Sequence, residues 1–220
     1  HLYLFPWVHG VRHRIDQGYL GAFSHAGRYA LDFNLAEGEA VHAARAGLVI
    51  FTESNYTRGG LDPGLATQAN HVDLLHDDGS VGSYAHFGRG AVFVKPGDRV
   101  RAGALLGRCG FTGYAQGAHL HFEVARARAA APPVSLPAFF LGASSTRVEA
   151  REGAWYTALH PGKPPVAGGG GVALKPQDFA GHRAPVPPDG KLELRKELRE
   201  DRLVLFLRNG QTRELRLRVE

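Results

Sequence analysis

The chain has 220 residues, 44% of them hydrophobic and 21% charged, enough for a buried core and too apolar for a disordered chain. Its net charge of +5 lies wholly in residues 128–220, where 15 Lys/Arg face 10 Asp/Glu, while residues 1–127 carry 11 of each. A single Cys (Cys109) excludes an internal disulfide and any multi-cysteine metal site, and no apolar run approaches the roughly 20 residues of a membrane-spanning helix. The C-terminal cations alternate with Glu and Leu, as in Glu214-Leu215-Arg216-Leu217-Arg218, instead of clustering among aromatics, so nucleic acid is not the expected partner. Twelve His, ten of them before residue 127, direct attention to metal or acid–base chemistry in the uncharged half. A chain that opens at His1 and holds no Met is expected to be a processed fragment whose targeting segment has been removed.

In chain order, Ala30-Leu31-Asp32-Phe33 reads as an apolar strand carrying one carboxylate. Val41 to Ala44 and Leu48 to Phe51 follow as short strands, separated by a Gly turn. Residues 54–70 have no periodicity, and a loop of that length inside a compact domain is expected to be functional or mobile. His71 to Leu75 alternates with period two and meets Asp77-Asp78-Gly79, a hairpin signal, before a return strand from Val81 to Phe87. Turns at Lys95-Pro96-Gly97-Asp98 and Ala102-Gly103 precede strands at Leu105-Leu106 and at Ala118 to Val124. Short strands at close spacing without a convincing long amphipathic helix predict a mainly β, compact antiparallel architecture. We expect an N-terminal segment at 1–14, a core at 15–130 and a Pro/Gly-rich extension and linker at 131–190. A C-terminal β-hairpin or meander is expected at 191–220. Within these, Gly168 to Gly171 reads as a tether and Asn209-Gly210 as the two-residue turn of the last hairpin.

His119 and His121 lie two apart in a predicted strand, so both imidazoles leave from one face, while Leu120 and Phe122 turn to the other. Asp32, between Leu31 and Phe33, places a carboxylate in apolar surroundings, which is costly unless it is paired or binds a metal. His86 is wedged between Tyr84 and Phe87. Catalytic zinc sites use three N/O ligands and keep a fourth position for water. His25, Asp32 and either His119 or His121 supply that count, leaving His86 and the other histidine beside the metal for proton transfer.

These residues resemble the lysostaphin-type (LytM-like) zinc metallopeptidases over roughly residues 15–127. The resemblance rests on Ser24-His25 with Ala30-Leu31-Asp32-Phe33, Tyr84-Ala85-His86-Phe87, Val94 to Gly103, Leu106 to Gly113 and Gly117-Ala118-His119-Leu120-His121-Phe122-Glu123-Val124. It implies a fold related to lipoyl-type barrel and hammerhead architectures. It also implies one Zn²⁺ per chain on His25, Asp32 and His121, with His86 and His119 as the catalytic pair. Tyr19, six residues before His25, would take the oxyanion-stabilising position. The implied activity is hydrolysis of peptide cross-links of peptidoglycan in the cell envelope, periplasmic or extracellular, by a monomer. The alternatives are a non-catalytic wall-binding or hydrolase-activating protein of the same fold, and an endopeptidase of soluble or glycine-rich peptides. Two positions depart from the pattern: six residues separate His25 from Asp32 where the shortest form has three, and Cys109 replaces a small or apolar residue. Between two glycines it is expected to be a buried, inert thiol.

Overall fold

A computed structural model describes residues 2–142, 146–163, 192–199 and 202–209. Among them there is no α-helix; a 3-10 turn at Pro63–Leu65 interrupts an otherwise β chain. The strands are β1 (Leu2–Tyr3), β2 (Arg12–Gln17), β3 (Ala30–Phe33), β4 (Ala40–His42), β5 (Gly47–Glu53), β6 (Gly59–Gly60), β7 (Asn70–Leu75), β8 (Ser80–Val92) and β9 (Arg99–Val100). They continue as β10 (Leu105–Cys109), β11 (Gly113–Tyr114), β12 (Leu120–Arg128), β13 (Ala131–Leu136), β14 (Phe139–Leu141), β15 (Arg147–Val148), β16 (Trp155–Thr157), β17 (Leu192–Arg199) and β18 (Arg202–Asn209).

The main sheet runs β16-β2-β3-β12-β8-β7-β5-β9, with β13 also on β12 and β10 bridging β4 and β8, and its pairs are antiparallel. The fold is therefore mainly β and antiparallel, as the strand spacing predicts. The hairpin at Asp77-Asp78-Gly79 forms: Gly79 takes a left-handed φ of 78°, and the His76 N–H donates to Ser80 O at 2.8 Å. That conformation suits glycine because it has no Cβ to clash.

Period-two alternation puts Leu120, Phe122 and Val124 of β12 inside, where Phe122 pairs across to Leu31 on β3 and Tyr84 on β8. The same alternation turns His121 and Glu123 to the opposite face. Segments that the sequence pattern does not mark cover the buried face. Strand β1 runs parallel to β14, which pairs with β15, and Tyr3, Phe5, Trp7 and Phe140 fill the space between the layers. Phe5 stacks on Phe140 with centroids 4.6 Å apart and meets Trp7 at a tilt, with centroids 4.8 Å apart. Residues on either side of the expected 15–130 core thus share its hydrophobic interior.

The chain divides into two compact units, 1–170 and 171–220. In the second, β17 and β18 pair in register from Leu192 with Asn209 to Arg199 with Arg202. Asn209 ends the second strand of that pair. The turn expected at Asn209-Gly210 leads beyond the described residues, where the Gly168–Gly171 tether also falls.

Candidate metal centre

Asp32 and His121 are direct cross-strand partners on β3 and β12, so their side chains stand side by side on the face away from the core. His121 Nδ1 lies 2.9 Å from Asp32 Oδ1. His25 arrives from the connection between β2 and β3. Its N–H bonds to Gly21 O and its own carbonyl accepts from Arg28, so the chain turns tightly around it. The longer spacing to Asp32 is absorbed by this turn, where Gly27 has a φ of 74°. The imidazole is fully buried, with Nε2 3.2 Å from Asp32 Oδ1 and 3.3 Å from His121 Nδ1.

This trio fits a metal ion on the chemistry of its donors. A carbonyl only accepts, so the contact of His25 Nδ1 with Gly18 O at 3.0 Å places a proton on Nδ1. The Nε2 lone pair then faces a carboxylate oxygen and another imidazole nitrogen, an approach that a cation among the three atoms makes favourable. Zinc–ligand distances near 2.0 Å in a tetrahedron separate ligand atoms by about 3.3 Å, and the observed separations run from 2.9 to 3.3 Å. Two imidazoles and one carboxylate with no thiolate match a catalytic zinc set, which leaves a coordination position open. Among the described residues this is the group of His, Cys, Asp and Glu side chains whose ligand atoms all converge within 4.8 Å.

The electrostatics of the ion-free trio follow from the same contacts. Burial works against charge on Asp32, but its close contacts with His121 and His25 outweigh it and hold the carboxyl far below its usual range. Burial likewise opposes the charged form of His121, yet the interactions with Asp32 and Glu123 lift it to about 9. Glu123 Oε2 stands 3.8 Å from His121 Nε2 and is itself paired with Arg28.

His86 and His119 flank the trio. Their rings lie 4.5 Å apart between centroids, and His119 Nε2 is 3.6 Å from Asp32 Oδ1. Each binds a backbone carbonyl through Nδ1: His86 to Thr112 O at 2.6 Å, His119 to Gly117 O at 2.9 Å. Each ring therefore carries a proton on Nδ1. His86 reaches this position by a break in β8. Ala85 pairs with His71 and Phe87 with Asn70, so His86 between them is unpaired and takes a φ of 71°. Such a backbone is strained for a residue with a Cβ, and strain of this kind collects at functional sites. Burial, then repulsion from His119 and His121, pushes the His86 imidazole down to about 3.

An open cavity of about 440 Å³ is lined by His86, His119, His121 and Asp32, and by Phe23 and Tyr114 from its two sides. Phe23 stacks on Tyr114 with centroids 6.0 Å apart. The walls are the 54–70 segment, with its short β6, and the 110–118 segment carrying β11; these two strands pair in parallel. Tyr19 is placed differently. Its hydroxyl donates to Ala138 O at 2.6 Å and accepts from Ala138 N at 2.9 Å, burial raises its pKa, and it is not among the residues lining that cavity. Cys109 is buried, and that burial pushes its thiol up to about 12.

Residues 26–133 match the model of Peptidase family M23. This stretch is an M23 peptidase domain. The match includes Asp32, His86, His119 and His121 and begins one residue after His25. The M23 domain is similar to the glycyl-glycine endopeptidase ALE-1 of Staphylococcus capitis, 34% identical over 96 residues, which is 43% of this chain and 24% of that protein. It is equally similar to lysostaphin of Staphylococcus simulans, 34% identical over 97 residues, 43% of this chain and 17% of lysostaphin. The matched part thus spans about a quarter or less of these relatives. Among solved structures, the catalytic domain of lysostaphin from Staphylococcus simulans aligns with 57% of this chain and 87% of its own, at 24% identity and a TM-score of 0.41. A zinc-containing peptidase from Vibrio cholerae aligns with 61% of this chain and 39% of its own, at 24% identity and a TM-score of 0.44.

The sequence pattern does not single out Asn70 or Thr112, both buried polar residues beside His86. Their signal is faint: a lone Asn opening an apolar strand, and a Thr between Phe111 and Gly113.

Proposed function

We propose that the chain is a zinc-dependent endopeptidase that hydrolyses peptide cross-links of bacterial peptidoglycan, working in the cell envelope as a monomer with one Zn²⁺. The observation that carries this reading is the convergence of His25, Asp32 and His121 within 2.9 to 3.3 Å, flanked by two imidazoles that each bind a backbone carbonyl through Nδ1. The naming of ALE-1 as a glycyl-glycine endopeptidase supports a peptide cross-bridge as the substrate class.

Zinc, when bound, supplies a Lewis acid for the scissile carbonyl and acidifies a water. The chain does the rest. His25, Asp32 and His121 hold the ion, and Gly18 O fixes the His25 ring so that Nε2 is its ligand atom. His119 and His86 take the proton from the attacking water on Nε2 and return it to the leaving amine. Burial, and after it repulsion from His119 and His121, keeps His86 neutral, so its Nε2 lone pair is available. The wall segments 54–70 and 110–118 hold an extended peptide beside these atoms. Tyr19 stabilises an oxyanion only by surrendering its bond to Ala138 O, so its assigned role predicts a loss of rate in Tyr19→Phe. The excess cations of residues 128–220 give the tail a contact with an anionic wall polymer.

The test separates metal from turnover. His121→Ala and Asp32→Ala are expected to lose both bound zinc and cleavage of purified peptidoglycan. His119→Ala and His86→Ala are expected to keep about one zinc per chain and to lose cleavage by about a hundredfold or more. Chelation should abolish activity and added Zn²⁺ restore it. Undiminished cleavage by the zinc-free protein overturns the reading, and a zinc-loaded protein that binds wall without releasing fragments establishes the wall-binding alternative.

A further inference from the structure

His86 stands in a strained backbone, with a φ of 71°, and its ring direction is fixed by the contact of Nδ1 with Thr112 O at 2.6 Å. Three neighbouring groups form a closed hydrogen-bond set behind it. The Asn70 side chain spans the wall segment and the strand: Oδ1 accepts from Tyr56 N at 2.9 Å, and Nδ2 donates to Tyr56 O at 2.9 Å and to Phe87 O at 3.1 Å. The Asn70 backbone N–H donates to Thr112 Oγ1 at 3.0 Å, and that hydroxyl donates onward to Phe87 O at 2.8 Å. The Thr112 carbonyl is the acceptor for His86 Nδ1. On the other side, the His86 carbonyl accepts from Gly110 N at 2.8 Å. Asn70 is fully buried and Thr112 nearly so, so each unmade bond would leave a desolvated polar group.

We propose that Asn70 and Thr112 are positioning residues for His86. They pin Phe87 and the 110–113 turn so that the Thr112 carbonyl captures the Nδ1 proton and leaves Nε2 as the acceptor facing the cleft. The inference rests on the reading of His86 as a catalytic proton acceptor and adds the device that sets its tautomer. Asn70 also joins the substrate wall at Tyr56 to the strand that carries His86, so wall and base are held by one side chain. A loop staple alone requires only the Tyr56 contacts. The bonds that converge on Phe87 O and the Thr112 turn go beyond that need.

The experiment uses the zinc-loaded full chain, purified peptidoglycan as substrate, and four variants: Thr112→Val, Thr112→Ser, Asn70→Ala and His86→Ala. Thr112→Val and Asn70→Ala should lower kcat about ten- to a hundredfold with KM changed less than about threefold and zinc content unchanged. Thr112→Ser, which keeps the hydroxyl, should regain most of the rate lost in Thr112→Val. Nitrogen-15 spectra of the His86 ring should show the proton on Nδ1 in the native chain and a mixture of tautomers in Thr112→Val and Asn70→Ala. Native tautomer and native kcat in both variants overturn the proposal, as does a loss that tracks unfolding or zinc release and that Thr112→Ser does not rescue. If His86→Ala stays active, the catalytic reading of His86 fails. The tautomer spectra then decide the positioning claim by themselves.

Discussion

His86 combines a left-handed backbone with a buried, neutral ring, and both features have measurable consequences. The folded chain depresses its pKa to about 3, chiefly by burial and then by the neighbouring imidazoles, while an unfolded histidine titrates near 6.5. The unfolded state therefore binds the proton first as pH falls. The stability that His86 contributes is fully present above about 6.5 and is lost as pH falls toward about 3, at about 1.4 kcal/mol per pH unit. Asn tolerates a positive φ better than most residues and does not titrate. His86→Asn should flatten the decline in Tm between pH 6.5 and 4 relative to the native chain, both measured after chelation. Parallel melting curves for the two proteins in that range would show that His86 does not drive the decline. His119 and His121, two apart on one face, were legible from period-two spacing alone. Which of them joins Asp32 and His25 was not, because spacing is the same for both. In the structure, His121 lies opposite Asp32 and presents Nδ1 to it, while His119 Nε2 stands 3.6 Å away.

At the level of strands and turns, the parts legible in the sequence are those whose partner lies close in the chain. The β7–β8 hairpin announces itself through His71 to Leu75, the Asp77-Asp78-Gly79 turn and the return strand. Strands β1 and β14 do not, since each has two or three residues and its partner lies more than a hundred positions away. No local period encodes that meeting. The break at His86 was equally silent: it shows only when the pairings of Ala85 and Phe87 are compared with those of β7. What sets its place is the close packing of β10 and its turn against β8. A Cβ on Gly110 would lie 2.3 Å from Gly88 N and 2.8 Å from the Phe87 carbonyl carbon, both backbone atoms with no freedom to yield. Gly110→Ala should therefore destabilise the fold by roughly 3 kcal/mol and, through the shifted Phe87, lower turnover more than zinc content. Denaturant unfolding and metal analysis of one preparation check both. A Tm within a degree or two of native would contradict the close approach.

Across the whole molecule, the hydrophobic interior decides which stretch of chain folds alone. The motifs concentrate between residues 25 and 124, yet the interior they need extends on both sides. Phe5 and Trp7 are 1% exposed and Phe140 is 0%, and they pack on one another and on Phe33. Truncating a buried Phe or Trp to Ala costs about 3–5 kcal/mol. Removing three of them exceeds or exhausts the roughly 5–15 kcal/mol that stabilises an ordinary domain. A fragment of residues 15–130, which holds every proposed ligand and catalytic histidine, is accordingly expected not to fold or retain zinc. A fragment of residues 1–170 should melt cooperatively, bind about one zinc and cleave peptidoglycan, because it keeps the first compact unit whole. It loses residues 171–220, where 11 Lys/Arg face 8 Asp/Glu, and with them a share of the positive charge. If that charge holds the enzyme on an anionic wall, the fragment should bind purified wall more weakly at low salt while cleaving a soluble cross-linked muropeptide at the rate of the full chain. The difference should vanish at about 0.5 M salt, where screening shortens the reach of charge to a few ångströms. Equal wall binding by fragment and full chain at low salt would remove the tail from wall recognition, and a cooperatively folding 15–130 fragment would show that the flanking aromatics are dispensable.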